Sequence, residues 1–449
     1  MKIVLIFMLI QQLLMASING PTLNEAIQIL QTKNLEIKAA TLDVEIAQQE
    51  EQSVSGKAWG KLDFIQDAAR SNDAGNVFGF KLTSREATFG DFGFSEFSTT
   101  NPNILNVQPA DLNYPNDRNF FQSKLRYEVP LFTGFALSSY SDIMHSMTRM
   151  KSLKKQELIN VKIFELRKSY YNMALLNNSI TNLSTILNNI QTLQNTTQSM
   201  IDVGYAKKVD LLEVKSKKGN VQRLLIQMNS NKVLLYHYIS FLLNQKISHI
   251  IVPSSEISMP LLSDENIISS NLDIQKASTG LLIRKDMLSV DEAAYYPTVG
   301  AFGEVATADD TFLEDAAKHQ AYTVGARLTW NIFNGGSDGS KIQKSKLELL
   351  KMRSQVTLAK NGVKLQVAKI RTQIKSVDEE IKSLTQELEL ADAIYKNYEG
   401  RYREKLSSMN DVIIKQSQQI EKILQLQTAK NRRNEKIFAL KKLANTKGY

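Results

Sequence analysis

The stretch YEVPLFTGF (127–135) closes a run of alternating apolar and polar residues, and LTWNIFNGG (328–336) repeats its pattern further along the chain. Phe132 matches Phe333 at an offset of 201 residues, and the glycine two positions later is repeated as well. Each copy stands directly before a long stretch without proline, the residue that interrupts helices. The chain therefore encodes twice a strand that ends in aromatic-x-Gly and gives way to a long helix.

The duplication extends along the helical stretches on either side of these strands. Two apolar series with the 4-3-4-3 spacing of a coiled-coil seam lie 201 positions apart: Leu176, Ile180, Leu183, Leu187 and Ile190, and then Val377, Ile381, Leu384, Leu388 and Ala391. A second offset, of 237 residues, relates NLEIKAA (34–40) to NLDIQKA (271–277). The two offsets differ because the first half carries about 36 extra residues between Trp59 and Tyr127.

Four segments show the period-2 alternation of half-buried strands: 122–132 and 321–332 clearly, and 61–70 and 298–306 more weakly. Their length and aromatic residues fit membrane-barrel strands, although an amphipathic hairpin on a soluble core gives the same alternation. Known single-chain membrane barrels have at least about eight strands. If these four strands cross a membrane, several chains must build the barrel together, because open sheet edges do not face lipid.

The composition restricts the class of protein. Lys2 and the apolar residues behind it predict a secretory signal peptide at 1–20, which is too short for a membrane anchor. The chain has no cysteine, which excludes disulfide scaffolds, thiol nucleophiles and Cys-based metal sites. A net charge of +9 suits anionic lipid or nucleic acid. Because the Lys and Arg residues are scattered among Asp and Glu, a solvated helix surface is the favoured interpretation.

Enzyme signatures are nearly absent. GGSDG (335–339) matches Gly-x-Ser-x-Gly, but the hydrolase order requires a histidine after the serine, and the last histidine, His319, precedes Ser337. The four histidines form no metal-ligand spacing: His145, His237, His249 and His319. The sequence therefore predicts no enzyme, no cofactor and no metal site.

In its order of elements and its duplication the chain resembles the TolC-type outer-membrane efflux proteins. PTLNEAIQILQTKNLEIKAA (21–40) resembles the opening helix of that family, and NVFGFKLTSREATFGDF (76–92) resembles a segment between its first two strands. VPLFTGF and WNIFNGG are similar to its two strand ends, with Phe135 in place of a second glycine and Asn331 in place of a proline.

The resemblance implies a mainly α fold with a small β part, built from a duplicated helix-strand-strand-helix repeat. Three chains would form a homotrimer with a tapering α-barrel in the periplasm and a shared twelve-stranded transmembrane β-barrel. The implied organisation is a signal peptide (1–20), a first repeat (21–246), an equatorial linker (247–265) and a second repeat (266–449). The implied localisation is the outer membrane, with an extension into the periplasm.

The same resemblance implies a passive exit duct of a tripartite efflux pump or of a type I secretion system, two uses that the sequence does not separate. Its expected partners are a periplasmic adaptor (membrane fusion) protein, an inner-membrane pump and outer-membrane lipid, without nucleic acid or a cofactor. A rival from another class is a secreted trimeric coiled-coil stalk or adhesin without a pore, which predicts no duplicated strand pairs. A periplasmic adaptor would need a lipoyl-like β-domain, which the sequence lacks.

Four sets of residues are implied to carry this function. The strand–helix junctions contain Phe132, Gly134, Phe333, Gly335 and Gly336. Lipid contacts are expected of Leu125, Tyr127, Leu328 and Trp330. The periplasmic aperture is expected at Asp210, Glu213 and Asp411, although Asp210 and Asp411 also suit N-caps of the returning helices. Adaptor contacts are expected at the helical tips: Val203, Gly204, Tyr205, Lys405 and Leu406.

Overall fold

The computed structural model describes residues 20–253, 257–312 and 318–445, so that residues 1–19 of the predicted signal peptide lie outside the described part. The fold is mostly helical with one small antiparallel sheet. The chain forms two compact units, and each unit contains segments of both sequence repeats. The helical unit comprises Met1–Ile46, Arg149–Leu281 and Met352–Tyr449, and the sheet unit comprises Ala47–Thr148 and Leu282–Lys351.

Helices account for most of the described residues. The α-helices are α1 (Leu23–Lys33), α2 (Leu35–Gly56), α3 (Ala74–Thr83), α4 (Ala110–Asn113), α5 (Ala136–Asp202), α6 (Lys208–Leu243), α7 (Asp264–Ser270), α8 (Leu272–Glu292), α9 (Ser337–Arg403) and α10 (Met409–Leu443). Short 3-10 turns occupy Lys57–Trp59, Gly90–Phe92, Phe94–Glu96, Ile104–Asn106 and Ala293–Tyr295. No helix in the described part of the chain is long and apolar enough to cross a membrane.

The duplication is visible in the lengths of the helices. The helices α5 and α9 have 67 residues each and begin 201 positions apart, and α6 and α10 have 36 and 35 residues. Neither long helix contains a proline, and two positions beyond the end of each one lies a residue with a left-handed backbone. Residues 244–263 separate the last helix of the first repeat from α7, in the region of the predicted linker 247–265.

The sheet has the strand order β1-β2-β3-β4, and every neighbouring pair is antiparallel. Its strands are β1 (Lys61–Ser71), β2 (Arg118–Phe132), β3 (Thr298–Asp309) and β4 (Gln320–Thr329). The chain crosses from the first hairpin to the second through β2 and β3, which leaves β1 and β4 as the edges. The connection from β1 to β2 has 46 residues and that from β3 to β4 has 10, so the first is 36 residues longer.

The last strand is shorter than the sequence pattern predicts, because β4 ends at Thr329 although the alternation continues to residue 332. Its partner β3 begins at Thr298, which pairs with Thr329. The preceding residue, Pro297, has no N–H to donate, so residues beyond Thr329 have no ladder to join. Trp330 lies just outside the strand, and its indole Nε1 donates to the carbonyl oxygen of Tyr295 at 3.2 Å.

Two asparagines join the core of the helical unit at equivalent places in the two repeats. The buried Asn34 donates from Nδ2 to the carbonyl oxygen of Leu242 (2.9 Å), and its Oδ1 accepts from the N–H of Ile37. Asn271 does the same with the carbonyl oxygen of Leu443 (3.1 Å) and the N–H of Ile274. The repeated motif Asn-Leu-x-Ile therefore fastens a helix–helix turn to the end of the returning helix in each repeat.

An apolar cluster fills the space between the two pairs of long helices. It contains the predicted seam residues Leu183 and Ile190, both fully buried, together with Val214 of α6. From the second repeat come Tyr395, Tyr402, Val412 and Ile420. The seam of the first repeat is therefore packed within the chain, and the returning helices α6 and α10 contribute to the same cluster.

Candidate functional site

The two faces of the sheet differ in chemistry. Across one face the register aligns Phe64, Leu125, Val305 and Tyr322 in a single row of four strands. These apolar side chains are exposed, Tyr322 to 80%. On the other face the register places Asp63, Arg126 and Glu304 in one row. The sheet is therefore amphipathic, and its apolar face is not covered by the described part of the chain.

The four residues that the sequence assigns to lipid contact are exposed: Leu125, Tyr127, Leu328 and Trp330. The register places Leu125, Tyr127 and Leu328 on the apolar face, while Trp330 follows the end of β4. The Tyr127 hydroxyl donates to the carbonyl oxygen of Trp59 at 2.6 Å, which fixes one aromatic side chain at the margin of the sheet. Their contact with lipid stays a prediction.

Ion pairs cover the opposite face. Arg126 lies 2.5 Å from the carboxylate of Glu128, and Lys61 lies 2.7 Å from that of Asp63. The ammonium of Lys124 lies 3.6 Å from the carboxylate of Glu304 on the neighbouring strand. Alternating charge along this face suits contact with water rather than with lipid.

The first strand–helix junction needs a glycine for two reasons. Gly134 has a φ of +62°, which disfavours any residue with a Cβ. A Cβ there would also lie 2.8 Å from the carbonyl oxygen of Ala293. Phe135 follows with a φ of +69° and packs its ring against Phe132 and Tyr296 at centroid distances of 5.3 and 5.7 Å.

The second junction makes the same turn with glycines alone, since Gly335 and Gly336 have φ values of +57° and +79°. No heavy atom lies within 4 Å of a Cβ built on either one, so only the backbone angle requires glycine here. Phe333 is 84% exposed, whereas its repeat partner Phe132 contacts Phe135. The junctions thus share a backbone path and differ in packing.

The two helical tips of the helical unit have the same backbone geometry. Gly204 has a φ of +79°, and Tyr205 donates its N–H to the carbonyl oxygen of Met200 at 2.7 Å. At the second tip Lys405 has a φ of +64°, and Leu406 donates to the carbonyl oxygen of Arg401, again at 2.7 Å. Lys405 therefore adopts the left-handed conformation that the first repeat gives to a glycine.

The tips also touch each other and present apolar side chains. The ammonium nitrogen of Lys405 lies 3.3 Å from the centroid of the Tyr205 ring, a cation–π contact between the two repeats. Val203, Tyr205 and Leu406 are each about two-thirds exposed. Five residues that the sequence assigns to adaptor contact thus form one surface, which we call the tip surface: Val203, Gly204, Tyr205, Lys405 and Leu406.

Asp210 and Asp411 each occupy the third position of a returning helix and not the N-cap, so the N-cap alternative is wrong in position. The carboxylate of Asp411 accepts from the Ser408 hydroxyl (2.6 Å), and Ser408 Oγ accepts from the Asp411 N–H. This capping box holds the pKa of Asp411 below its usual range, the Ser408 hydroxyl being the main cause. Asp210 accepts from the N–H of Lys207 at 2.8 Å.

Glu213 differs from these two aspartates. It is half-buried, one turn further along α6, and its Oε2 is buried without a hydrogen-bond partner in the described part of the chain. The sequence groups Glu213 with the two aspartates by charge, but in the structure Glu213 does not cap a helix. Whether the three carboxylates line an aperture stays a prediction.

No protein-family model and no curated protein sequence matches the chain, but solved structures do. It is similar to a membrane protein from Pseudomonas aeruginosa (13% identity, 94% of this chain and 93% of that one, TM-score 0.79). The outer-membrane protein VceC from Vibrio cholerae gives 13% identity, 94% and 96% coverage and a TM-score of 0.77. The open state of the MtrE outer-membrane channel from Neisseria gonorrhoeae is 14% identical to this chain, with a TM-score of 0.75. The match covers 95% of this chain and 89% of that one.

The chain has the TolC-type fold. The predicted class of architecture, mainly α with a small antiparallel sheet, is therefore confirmed. At these identities the likeness establishes the fold, and it covers nearly the whole length of each neighbour.

Proposed function

We propose that this chain is the outer-membrane exit duct of a tripartite efflux pump or of a type I secretion system, a passive conduit and not an enzyme. The observation that carries the proposal is the four-stranded sheet, which has one exposed apolar face and one ion-paired face. In a water-soluble protein the apolar face would have to be covered. In a membrane it meets lipid, while the charged face lines a wet passage.

The open edges of the sheet support a trimer. In the described residues β1 and β4 have no partner on their outer sides, and unpaired strand edges are not tolerated in lipid. Pairing β4 of one copy with β1 of the next satisfies both edges, and repeated head-to-tail contacts close into a ring. Three copies supply twelve strands, as the TolC-type resemblance implies.

The tip surface is the proposed contact for a periplasmic adaptor. Its exposed apolar side chains are held at the ends of two packed helical hairpins, and cluster residues such as Tyr402 and Met409 are buried directly behind them. A rigid apolar surface of this kind suits an amphipathic helical hairpin as a partner.

The test uses the absence of cysteine in the chain, which removes any background cross-linking. Cysteines are introduced in pairs along β1 and β4, one position on each strand, and the outer-membrane fraction is oxidised. We expect covalent trimers for one register of pairs, and single-channel conductance when the purified protein enters planar lipid bilayers. A soluble stalk would give neither result, and cross-linked trimers without conductance would contradict the duct.

A further inference from the structure

Three metal-ligating side chains from distant parts of the sequence meet at the end of the sheet where both hairpins turn. Glu86 lies in the connection between β1 and β2, Asp309 ends β3, and His319 directly precedes β4. One ligand atom of each lies within 4.8 Å of the other two. The proposed duct makes no use of this cluster.

The histidine is the most informative member of the cluster. Its Nδ1 atom is buried and has no hydrogen-bond partner in the described part of the chain. A buried polar nitrogen without a partner is unfavourable, and buried polar groups normally have a hydrogen-bond partner. His319 therefore has a ring nitrogen that forms no hydrogen bond with the described part of the chain, and its imidazole lies beside two carboxylates.

The carboxylates are held in place by the surrounding structure. Asp309 is only 5% exposed, and its Oδ1 and Oδ2 accept from the N–H of Asp310 and the hydroxyl of Thr311. Glu86 accepts from the Ser84 hydroxyl at 2.8 Å and pairs with the guanidinium of Arg118, both through Oε2. Its Oε1 takes part in neither contact and can serve as a metal ligand. Supporting bonds of this kind orient metal ligands in proteins.

We propose that Glu86, Asp309 and His319 bind a divalent transition-metal ion, for which Zn²⁺ is the best match. One imidazole nitrogen and two carboxylate oxygens are ligands that Zn²⁺ accepts, at about 2.0–2.2 Å each. In a tetrahedral site the ligand atoms are then about 3.4 Å apart, so side-chain shifts of roughly 1 Å complete the site. Three protein ligands leave a fourth position for water. Mg²⁺ and Ca²⁺ prefer sites made only of oxygen.

Binding at this place would join the two hairpins beyond the strands. Glu86 belongs to the connection of the first hairpin, and Asp309 and His319 flank the connection of the second. Arg118, at the start of β2, is a positioning residue, because it contacts Glu86 and also lies 3.3 Å from the carboxylate of Asp310. A bound ion would hold the long connection of the first hairpin against the second one.

The experiment uses the full chain, purified in detergent, stripped with a chelator and titrated with Zn²⁺ by calorimetry. We expect one Zn²⁺ per chain, and at least a tenfold weaker affinity for His319→Gln. The matched control is His145→Gln, because His145 is an exposed histidine that pairs with Glu51 at 3.0 Å, outside the cluster. This control should bind Zn²⁺ like the wild type.

A second variant separates ligation from folding. Asp309→Asn removes the charge of the ligand at the end of β3 and should also weaken Zn²⁺ binding. Gel filtration should show that the oligomer of this variant is unchanged. Equal losses in His145→Gln and His319→Gln would mean adventitious binding by surface histidines and would overturn the proposal. So would a wild type that binds no more Zn²⁺ than His319→Gln. Neither result bears on conductance, so the duct is tested separately.

Discussion

At the scale of single residues, four backbone positions decide where long helices stop and start. Gly204 and Lys405 follow the ends of the two long helices, and the first glycine of each junction, Gly134 or Gly335, leads from strand to helix, all with positive φ. Three of these four are glycine, as expected for a conformation that crowds a Cβ. Lys405, like Phe135 at the first junction, adopts this conformation with a side chain, and its ammonium group contacts the ring of Tyr205.

Two substitutions of Lys405 separate its backbone cost from its contact. Lys405→Gly removes the strain of the left-handed conformation but loses the cation–π contact, worth roughly 0.5–1 kcal/mol, and should be nearly neutral. Lys405→Ala loses the contact and keeps the strain, so it should be about 1 kcal/mol less stable than Lys405→Gly. Hydrogen exchange of the amides in 400–412 measures this difference, with Gly204→Ala as the control at the equivalent tip. Equal stability of the two variants would contradict the claim that the left-handed conformation at residue 405 is strained for a residue with a Cβ.

The alternation of the sheet makes a second prediction at this scale. Leu328→Lys puts a charge on the apolar face and should impair assembly in the outer membrane, by up to about 1 kcal/mol because Leu328 lies at the junction end of β4 and not at its middle. Thr329→Lys puts the same charge on the neighbouring residue, which faces the other way. The amount of trimer in the outer-membrane fraction distinguishes the two variants. A stronger defect in Thr329→Lys would refute the assignment of the faces.

At the scale of elements, the turn between two helices depends on one buried amide in each repeat. Asn34→Ala and Asn271→Ala each leave a buried carbonyl oxygen of the returning helix without its donor, Leu242 in one case and Leu443 in the other. Each variant should lose about 1–3 kcal/mol of unfolding free energy. Denaturant unfolding measures the loss. Asn188→Ala, an exposed site within α5, is the control and should lose far less.

The long connection between β1 and β2 contains its own pH-sensitive contact. Lys81 pairs with Asp91, whose carboxylate also accepts from the N–H of Thr88 at 2.7 Å, and together these lower the pKa of Asp91 to about 2. Because the pKa is lower in the folded state, this stabilisation is complete above the ordinary value of 3.8 and is lost as the pH falls towards 2.

Limited proteolysis of the connection should therefore accelerate between about pH 4 and pH 2, measured with an acid-active protease. At pH 4, where the protease is active and Asp91 is ionised in the folded state, Asp91→Asn should be cleaved faster than the wild type, and the difference should vanish near pH 2. A difference that persists at pH 2 would show that the loss comes from packing and not from the charge of Asp91.

At the scale of the whole molecule, what the sequence predicts depends on how far apart the interacting residues are. The duplication, the junction glycines and the motif around Asn34 are local patterns, and the structure shows helices, strands and turns at those places. The sequence pattern extends β4 three residues beyond its observed end at Thr329, because the pairing of β4 depends on where β3 begins. The contacts of Tyr205 with Lys405 and of Glu86 with His319 join residues 200 or more positions apart, which no local pattern reveals.

The last prediction concerns Asp411, which has two physical roles that substitution can separate. In the proposed trimer three copies of its carboxylate approach the axis of the duct, where grouped negative charges attract cations. The same carboxylate completes a capping box with Ser408, and the Ser408 hydroxyl lowers its pKa, so the charge persists into mild acid.

Asp411→Asn keeps the size of the side chain and removes the charge, while Ser408→Ala keeps the charge and removes the cap. We expect Asp411→Asn to lower the cation preference in planar-bilayer recordings and to leave the trimer intact. Ser408→Ala should leave the selectivity unchanged and cost the returning helix about 1 kcal/mol. If Asp411→Asn leaves the selectivity unaltered, or if Ser408→Ala changes it equally, the carboxylate serves only to cap the helix and the charge of the aperture must come from elsewhere.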